Sequence, residues 1–155
     1  MDKLFDIIAQ CPYGIHDLSR TELDGNGLPR FNMPLELGVF LGAKRYGNRH
    51  QRTKNLLLMD VDPFRSNKFI SDLAGMDVHG HGRSSDRAVE ETRNWLASAS
   101  KSERQLPSAQ RILNLLDAFQ EDLPSICHLL KFDVDNIPYV DYERIVVEWL
   151  LERSA

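Results

Sequence analysis

Residues 55–61 (Asn-Leu-Leu-Leu-Met-Asp-Val) make a run of strand length whose apolar residues do not alternate with polar ones. A strand with one face in water alternates. An unbroken run belongs to a strand covered on both faces, as in a parallel sheet between helices. The flanking segments fit that arrangement. Leu4, Phe5, Ile7, Ile8 and Cys11 give a helical stripe over residues 2–10, and Cys11-Pro12 breaks it. Tyr13 to Leu18 reads as a strand, residues 19–32 as a loop and Met33 to Tyr46 as a helix. Phe64 to Leu73 reads as a short helix with Phe69, Ile70 and Leu73 inward, and 76–79 as a short strand. Ser84 to Ala99 reads as an amphipathic helix capped by Ser85, with Val89, Thr92, Trp95 and Leu96 inward. Strand–helix alternation over residues 1–100 implies an α/β fold with a parallel sheet.

The pattern changes after residues 98–102. Pro107 to Phe119, Leu123 to Leu130 and Tyr139 to Leu151 all read as helices, with Pro124 at a helix start. Residues 101–155 are therefore expected to form a helical extension packed on the α/β core, or a small helical subdomain, with Ile145, Val146, Trp149 and Leu150 buried. The chain of 155 residues is long enough to bury a substantial core. Its net charge of −4 supplies no basic excess to offset nucleic-acid phosphates. The one basic stretch, Lys44 to Lys54, is expected to be a solvated loop. Cys11 and Cys127 lie on apolar stretches without metal spacing and are expected to be buried and reduced, which fits a cytoplasmic chain. No apolar run reaches 18 residues, and the N-terminus lacks the apolar core of a signal peptide.

Ligands of parallel sheets bind outside the carboxyl ends of the strands. The first strand ends in Ile15-His16-Asp17-Leu18-Ser19-Arg20, which puts Asp17 and Ser19 on one face and His16 and Leu18 on the other. The loop that follows is longer than about 12 residues, a length that usually carries function or disorder. It holds Arg20, Asp24 and Arg30, with a mobile turn expected at Gly25-Asn26-Gly27. The two arginines suit a phosphate clamp, and equally suit ion pairs with Glu22 and Asp24. Asn32 is placed to cap the helix, and Pro34 sits in its first turn, where a missing N–H costs nothing. Leu35, Leu37, Val39, Phe40, Leu41 and Ala43 cover nearly all sides of this helix, so it is expected to be buried. Glu36 shares a face with Val39, Phe40 and Ala43. Desolvation there favours the neutral carboxyl and the helix start favours the charged one, so the group is poised. A glutamate in a first turn also serves simply to satisfy free N–H groups.

Two other clusters carry less. Asp60 and Asp62 follow an apolar strand in the manner of a Mg²⁺ pair, without a further acid cluster nearby. His79-Gly80-His81 lacks cysteine partners and reads as a turn rather than a zinc site.

The stretch CPYGIHDLSRTELDGNGLPRFNMPLELGVFLGAKRYG resembles bacterial TIR-like proteins, which share a flavodoxin-like architecture with nucleoside 2-deoxyribosyltransferases. In both groups a strand ends in Asp and a later helix opens on Glu-Leu-Gly, here Asp17 and Glu36-Leu37-Gly38. The match covers mainly residues 10–75, and FISDLAGMDVHGHG resembles the later strand–loop region of such proteins. The resemblance implies a three-layer parallel sheet and cleavage or transfer at an N-glycosidic bond of NAD or a nucleoside. Glu36 would be the catalytic carboxylate at the anomeric carbon. Asp17 and Ser19 would bind the substrate, Asp17 through ribose hydroxyls. Arg20 and Arg30 would hold phosphates, and Asn32 would orient Glu36. NAD enters as a substrate, and no cofactor is implied. In a bacterial setting the activity suggests anti-phage defence. The same fold also suits a non-catalytic module that senses a nucleotide or mediates assembly. Such domains open with a strand and a substrate-holding loop that this chain lacks. The expectation is a truncated version, a differently closed fold, or a sheet completed by a second copy or a partner chain.

Overall fold

Three strands, β1 (Tyr13–Asp17), β2 (Asn55–Asp60) and β3 (Val78–Gly80), form one parallel sheet in the order β1-β2-β3. The computed structural model describes residues 2–23, 25–100 and 105–153. The chain divides into two units, Met1–Leu106 and Pro107–Ala155. The first holds the sheet with α1 (Asp2–Gln10), α2 (Asn32–Tyr46) and α3 (Ser85–Ala99), and the second holds α4 (Ala109–Leu130) and α5 (Tyr139–Glu152).

The unbroken apolar run is the central strand. Leu57, Leu58, Met59 and Asp60 are consecutive and all buried, so both faces of β2 are covered. Register sorts the side chains. His16 lies opposite Leu58, and Leu58 opposite Val78. On that face Leu18, Leu58 and Val78 form a core with Leu37 of α2 and Leu73. The other face belongs to α3: the Tyr13 ring meets Trp95 edge-on at 5.9 Å, and the Tyr13 hydroxyl donates to the Ala99 carbonyl at 3.3 Å. On the same face His79 Nδ1 lies 2.6 Å from Glu91 Oε2. β1 pairs with β2 alone among the described residues, and its Tyr13 and Ile15 side chains stay exposed.

Gly14 is required by packing, because a Cβ there would sit 2.7 Å from the Phe40 ring and 2.9 Å from His16 Nε2. His16 is buried edge-on against Phe40, and neither ring nitrogen has a hydrogen-bond partner. Burial therefore holds its pKa below the usual 6.5.

Several segments depart from the sequence reading. α2 is not buried all round: Leu37 and Phe40 face inward, while Leu35 and Gly38 are exposed, because the small sheet covers one side only. Asn32 does not cap it. Phe31 holds that position without a side-chain hydrogen bond, and Asn32 is the first helical residue. Phe64–Leu73 is not one helix but two 3-10 turns, Ser66–Lys68 and Ser71–Leu73. Asp62 competes for the backbone groups a helix would use, its Oδ1 accepting the Phe64 N–H at 2.8 Å. Ser84, not Ser85, caps α3 by accepting the Arg87 N–H. The inward face of α3 is as expected but only half-buried. Cys11 is exposed, since it lies in the turn between α1 and β1.

Lys54 is not solvated. Its ammonium is buried at the end of α1, where it donates to the Ile8 carbonyl at 2.5 Å and the Cys11 carbonyl at 2.6 Å. Positive charge suits carbonyls at a helix C-terminus. Desolvation still lowers its pKa, partly opposed by Cys11.

In the second unit the two expected helices merge into α4, with Pro124 inside it. Proline there costs roughly 3 kcal/mol. An apolar stripe that runs through the break offsets it: Leu115, Phe119, Leu123 and Ile126 pack with Ile145 and Trp149 of α5. Leu150 is exposed rather than core. The Trp149 Nε1–H donates to Asp122 Oδ2 at 2.9 Å, and Arg153 donates to the same oxygen at 2.8 Å. These two bonds hold the Asp122 carboxyl below its usual pKa. No helix among the described residues is long and apolar enough to cross a membrane.

Candidate functional site

At the carboxyl ends of the strands lies a cleft of about 660 Å³. Three segments build it: the loop after β1, the turn after β3 and the first turn of α3. Register explains why they meet. Asp17 lies opposite Met59, and Met59 opposite His79. Two residues further along each chain come Ser19, Val61 and His81. All of these side chains point to the α3 face of the sheet, and Asp17, Ser19, Val61 and His81 line the cleft.

Asp17 anchors the near wall. Its Oδ1 accepts the Ser19 N–H at 2.9 Å, which bends the chain as β1 ends, and lies 3.3 Å from His81 Nε2. His81 is buried. Its own N–H donates to the Asp60 carbonyl at 3.0 Å, and Gly82 N–H donates to the Val61 carbonyl at 3.0 Å, so the turn after β3 is pinned to the end of β2. Gly80 admits no side chain, because a Cβ there would lie 2.5 Å from Pro63 Cδ. Gly82 and Arg83 then adopt left-handed backbone, with φ of 59° and 65°. That conformation is free for glycine and costs about 1 kcal/mol or more for arginine. It turns the Arg83 side chain into the cleft, where it pairs with Glu22.

Arg65 holds the near wall in place. Its Nε donates to Asp60 Oδ1 at 2.9 Å, and Asp60 is fully buried. Its Nη2 donates to the Leu18 carbonyl at 2.9 Å, the Ser19 carbonyl at 3.2 Å and Thr21 Oγ1 at 2.9 Å. One guanidinium thus ties the loop after β1 to the end of β2. Asp60 Oδ1 also accepts the Val61 N–H at 2.7 Å, while Oδ2 has no partner. With Asp60 on Arg65 and Asp62 capping Phe64, these two acids do not form a pair for a cation. The described residues contain no group of three or more His, Cys, Asp or Glu that could hold a metal ion.

Of the residues singled out from the sequence, Asp17, Ser19, Arg20 and Arg30 all line this cleft. Glu22 is taken by Arg83 and Arg65, not by Arg20 or Arg30. Asp24 lies outside the described residues. Glu36 and Asn32 are not among the residues lining the cleft. Their helix covers the opposite face of the sheet, with Leu18, Leu58 and Val78. Glu36 is half-buried in the second turn of α2, and Asn32 is exposed.

The sequence reading missed His81, Arg83, Arg65 and Glu22 as site residues. The first two had a signal: His81-Gly82-Arg83 follows β3 directly, at the edge where ligands of parallel sheets bind. Arg65 had none, because its hydrogen bonds to the loop after β1 reach back 44 to 47 residues.

The cleft sets Arg20, Arg30 and Arg83 against Asp17 and Glu22, in a chain whose net charge is −4. Such a local reversal of sign favours anionic ligands. The Asp17–His81 pair can accept hydrogen bonds from a ligand hydroxyl or relay a proton. Comparison with protein-family models, with curated proteins and with solved structures finds no match to this chain.

Proposed function

We propose that the chain binds a nucleotide in the cleft at the carboxyl ends of β1, β2 and β3, as a nucleotide-sensing module. The observation that carries this reading is the convergence there of Asp17, Ser19, Arg20 and Arg30 with His81 and Arg83. Asp17 and His81 offer polar atoms to ribose hydroxyls, and the arginines offer charge to phosphates. Among the described residues β1 is an edge strand, which supports an added strand from a second copy or a partner chain.

The test is a thermal-shift screen of the full chain against NAD, ADP-ribose, ATP and free nucleosides. Ligand at a hundred times its Kd stabilises by about 2.7 kcal/mol. A shift with phosphorylated compounds that disappears in an Arg20→Gln, Arg30→Gln double variant supports the reading. No shift with any of them rejects it.

N-glycosidic cleavage or transfer on NAD or a nucleoside is the second reading, favoured by one observation. Asp17 and His81 place a carboxylate and an imidazole together in the cleft, at 3.3 Å, a pair suited to passing a proton to a leaving base. In this reading Glu36 is the carboxylate at the anomeric carbon, as the TIR-like resemblance implies. Its position on the other face of the sheet requires the ligand to reach around the end of β1, or a second chain to complete the site. Base release from NAD, lost in Glu36→Gln, is the expected result. An inactive wild type in its native oligomeric form excludes it.

A further inference from the structure

We propose that Glu22 stands in for the ligand's phosphate: its carboxylate occupies Arg83 in the cleft, and an incoming phosphate displaces it. This inference rests on the reading of the cleft as a nucleotide site. Glu22 and Arg83 are 61 residues apart, yet their side chains meet inside the cleft, with Arg65 Nη1 3.8 Å from the same Glu22 oxygen.

Three features make this pair a placeholder rather than a brace. Both side chains are more than half exposed, at 65% for Arg83 and 56% for Glu22. Exposed pairs of this kind contribute little to folding. Nor is Glu22 needed to hold the loop, which Arg65 already ties through Leu18, Ser19 and Thr21. Arg83, by contrast, keeps a left-handed backbone that arginine adopts at a cost, at φ 65°. Backbone strain of this sort collects at functional sites, and here it accompanies a guanidinium set in the cleft. A phosphate brings more charge and more acceptor oxygens to that guanidinium than the Glu22 carboxylate does.

Charge balance points the same way. With Glu22 in place, the cleft sets three arginines against two carboxylates. When Glu22 swings out, only Asp17 remains, and it is engaged by the Ser19 N–H and His81. The site is thus partly neutralised by its own side chain, and the ligand's phosphate completes the exchange. Because an exposed pair is weak, this competition lowers affinity only modestly and leaves the site easy to fill.

The experiment is calorimetric titration of the full chain with inorganic pyrophosphate. It compares wild type, Glu22→Gln, Glu22→Ala, Arg83→Gln and the Glu22→Gln, Arg83→Gln double variant. Both Glu22 variants are expected to bind about two- to fivefold more tightly than wild type at low salt. The gain should shrink as salt screens the charges. Arg83→Gln is expected to weaken binding, and on that background Glu22→Gln should bring no gain. If wild type binds and both Glu22 variants bind equally or more weakly, the placeholder is overturned while the site stands. If the gain persists without Arg83, Glu22 acts through general charge and the proposal is again overturned. If no form binds pyrophosphate, the cleft arginines hold no phosphate and this inference is overturned, while the nucleotide reading is decided by the thermal-shift screen.

Discussion

The cleft and the opening turns of α2 both carry polar and charged residues near the carboxyl edge of one small sheet, yet they are held in different ways. The cleft is assembled from long-range pairs. His81 reaches Asp17 across 64 positions, and Arg65 reaches Leu18 across 47. The start of α2 is held locally: Leu35 N–H bonds the Phe31 carbonyl, and no side chain caps the helix. The difference comes from the faces of the sheet. Asp17 and His81 project to the α3 face, while α2 packs its Leu37 on the face carrying Leu18, Leu58 and Val78. Nearness in sequence to a strand end therefore does not bring a residue to the cleft. Membership of the correct face does.

The strongest way to break this contrast is to remove Arg65. Arg65→Met leaves Asp60 buried without its ion-pair partner and frees the loop after β1. Breaking a buried pair from one side typically costs about 3–5 kcal/mol. Arg65 is itself partly exposed, so the lower end is expected. Urea unfolding measures it, and a loss below about 1 kcal/mol would mean that the cleft wall is held by something else.

A smaller effect separates the other face. His16 has a folded pKa below its unfolded value of 6.5, because burial opposes its charge. As pH falls below 6.5, the unfolded chain takes up a proton that the folded chain does not. Stability contributed by the neutral ring is therefore present above pH 6.5 and is lost as pH falls toward the folded pKa. The slope is at most about 1.4 kcal/mol per pH unit. His16→Leu should flatten that part of the pH–stability curve. An unchanged slope in the variant would assign the acid sensitivity to another group.

Much of the α/β unit was legible in sequence. The apolar run at β2 declared a doubly covered strand, and period-two alternation placed Asp17 and Ser19 together, away from His16 and Leu18. Four of the six site residues named from sequence line one cleft. What was not legible depends on tertiary contact. Lys54 looked like part of a solvated basic loop, since its carbonyl partners lie 43 and 46 residues earlier. Pro124 looked like a helix start, because the stripe that carries α4 through it is stabilised by α5. Glu36 was placed on an apolar face by its wheel, but a wheel does not say which side of the sheet that helix will cover.

The central claim is that ligand binds on the α3 face of the sheet at its carboxyl edge. Following backbone amide NMR signals of the full chain while titrating ADP-ribose tests it most directly. The account predicts the largest changes at Asp17–Glu22 and His81–Ser85, with Asn32–Phe40 little affected. Changes centred on Glu36, with the His81–Ser85 turn unmoved, would contradict it.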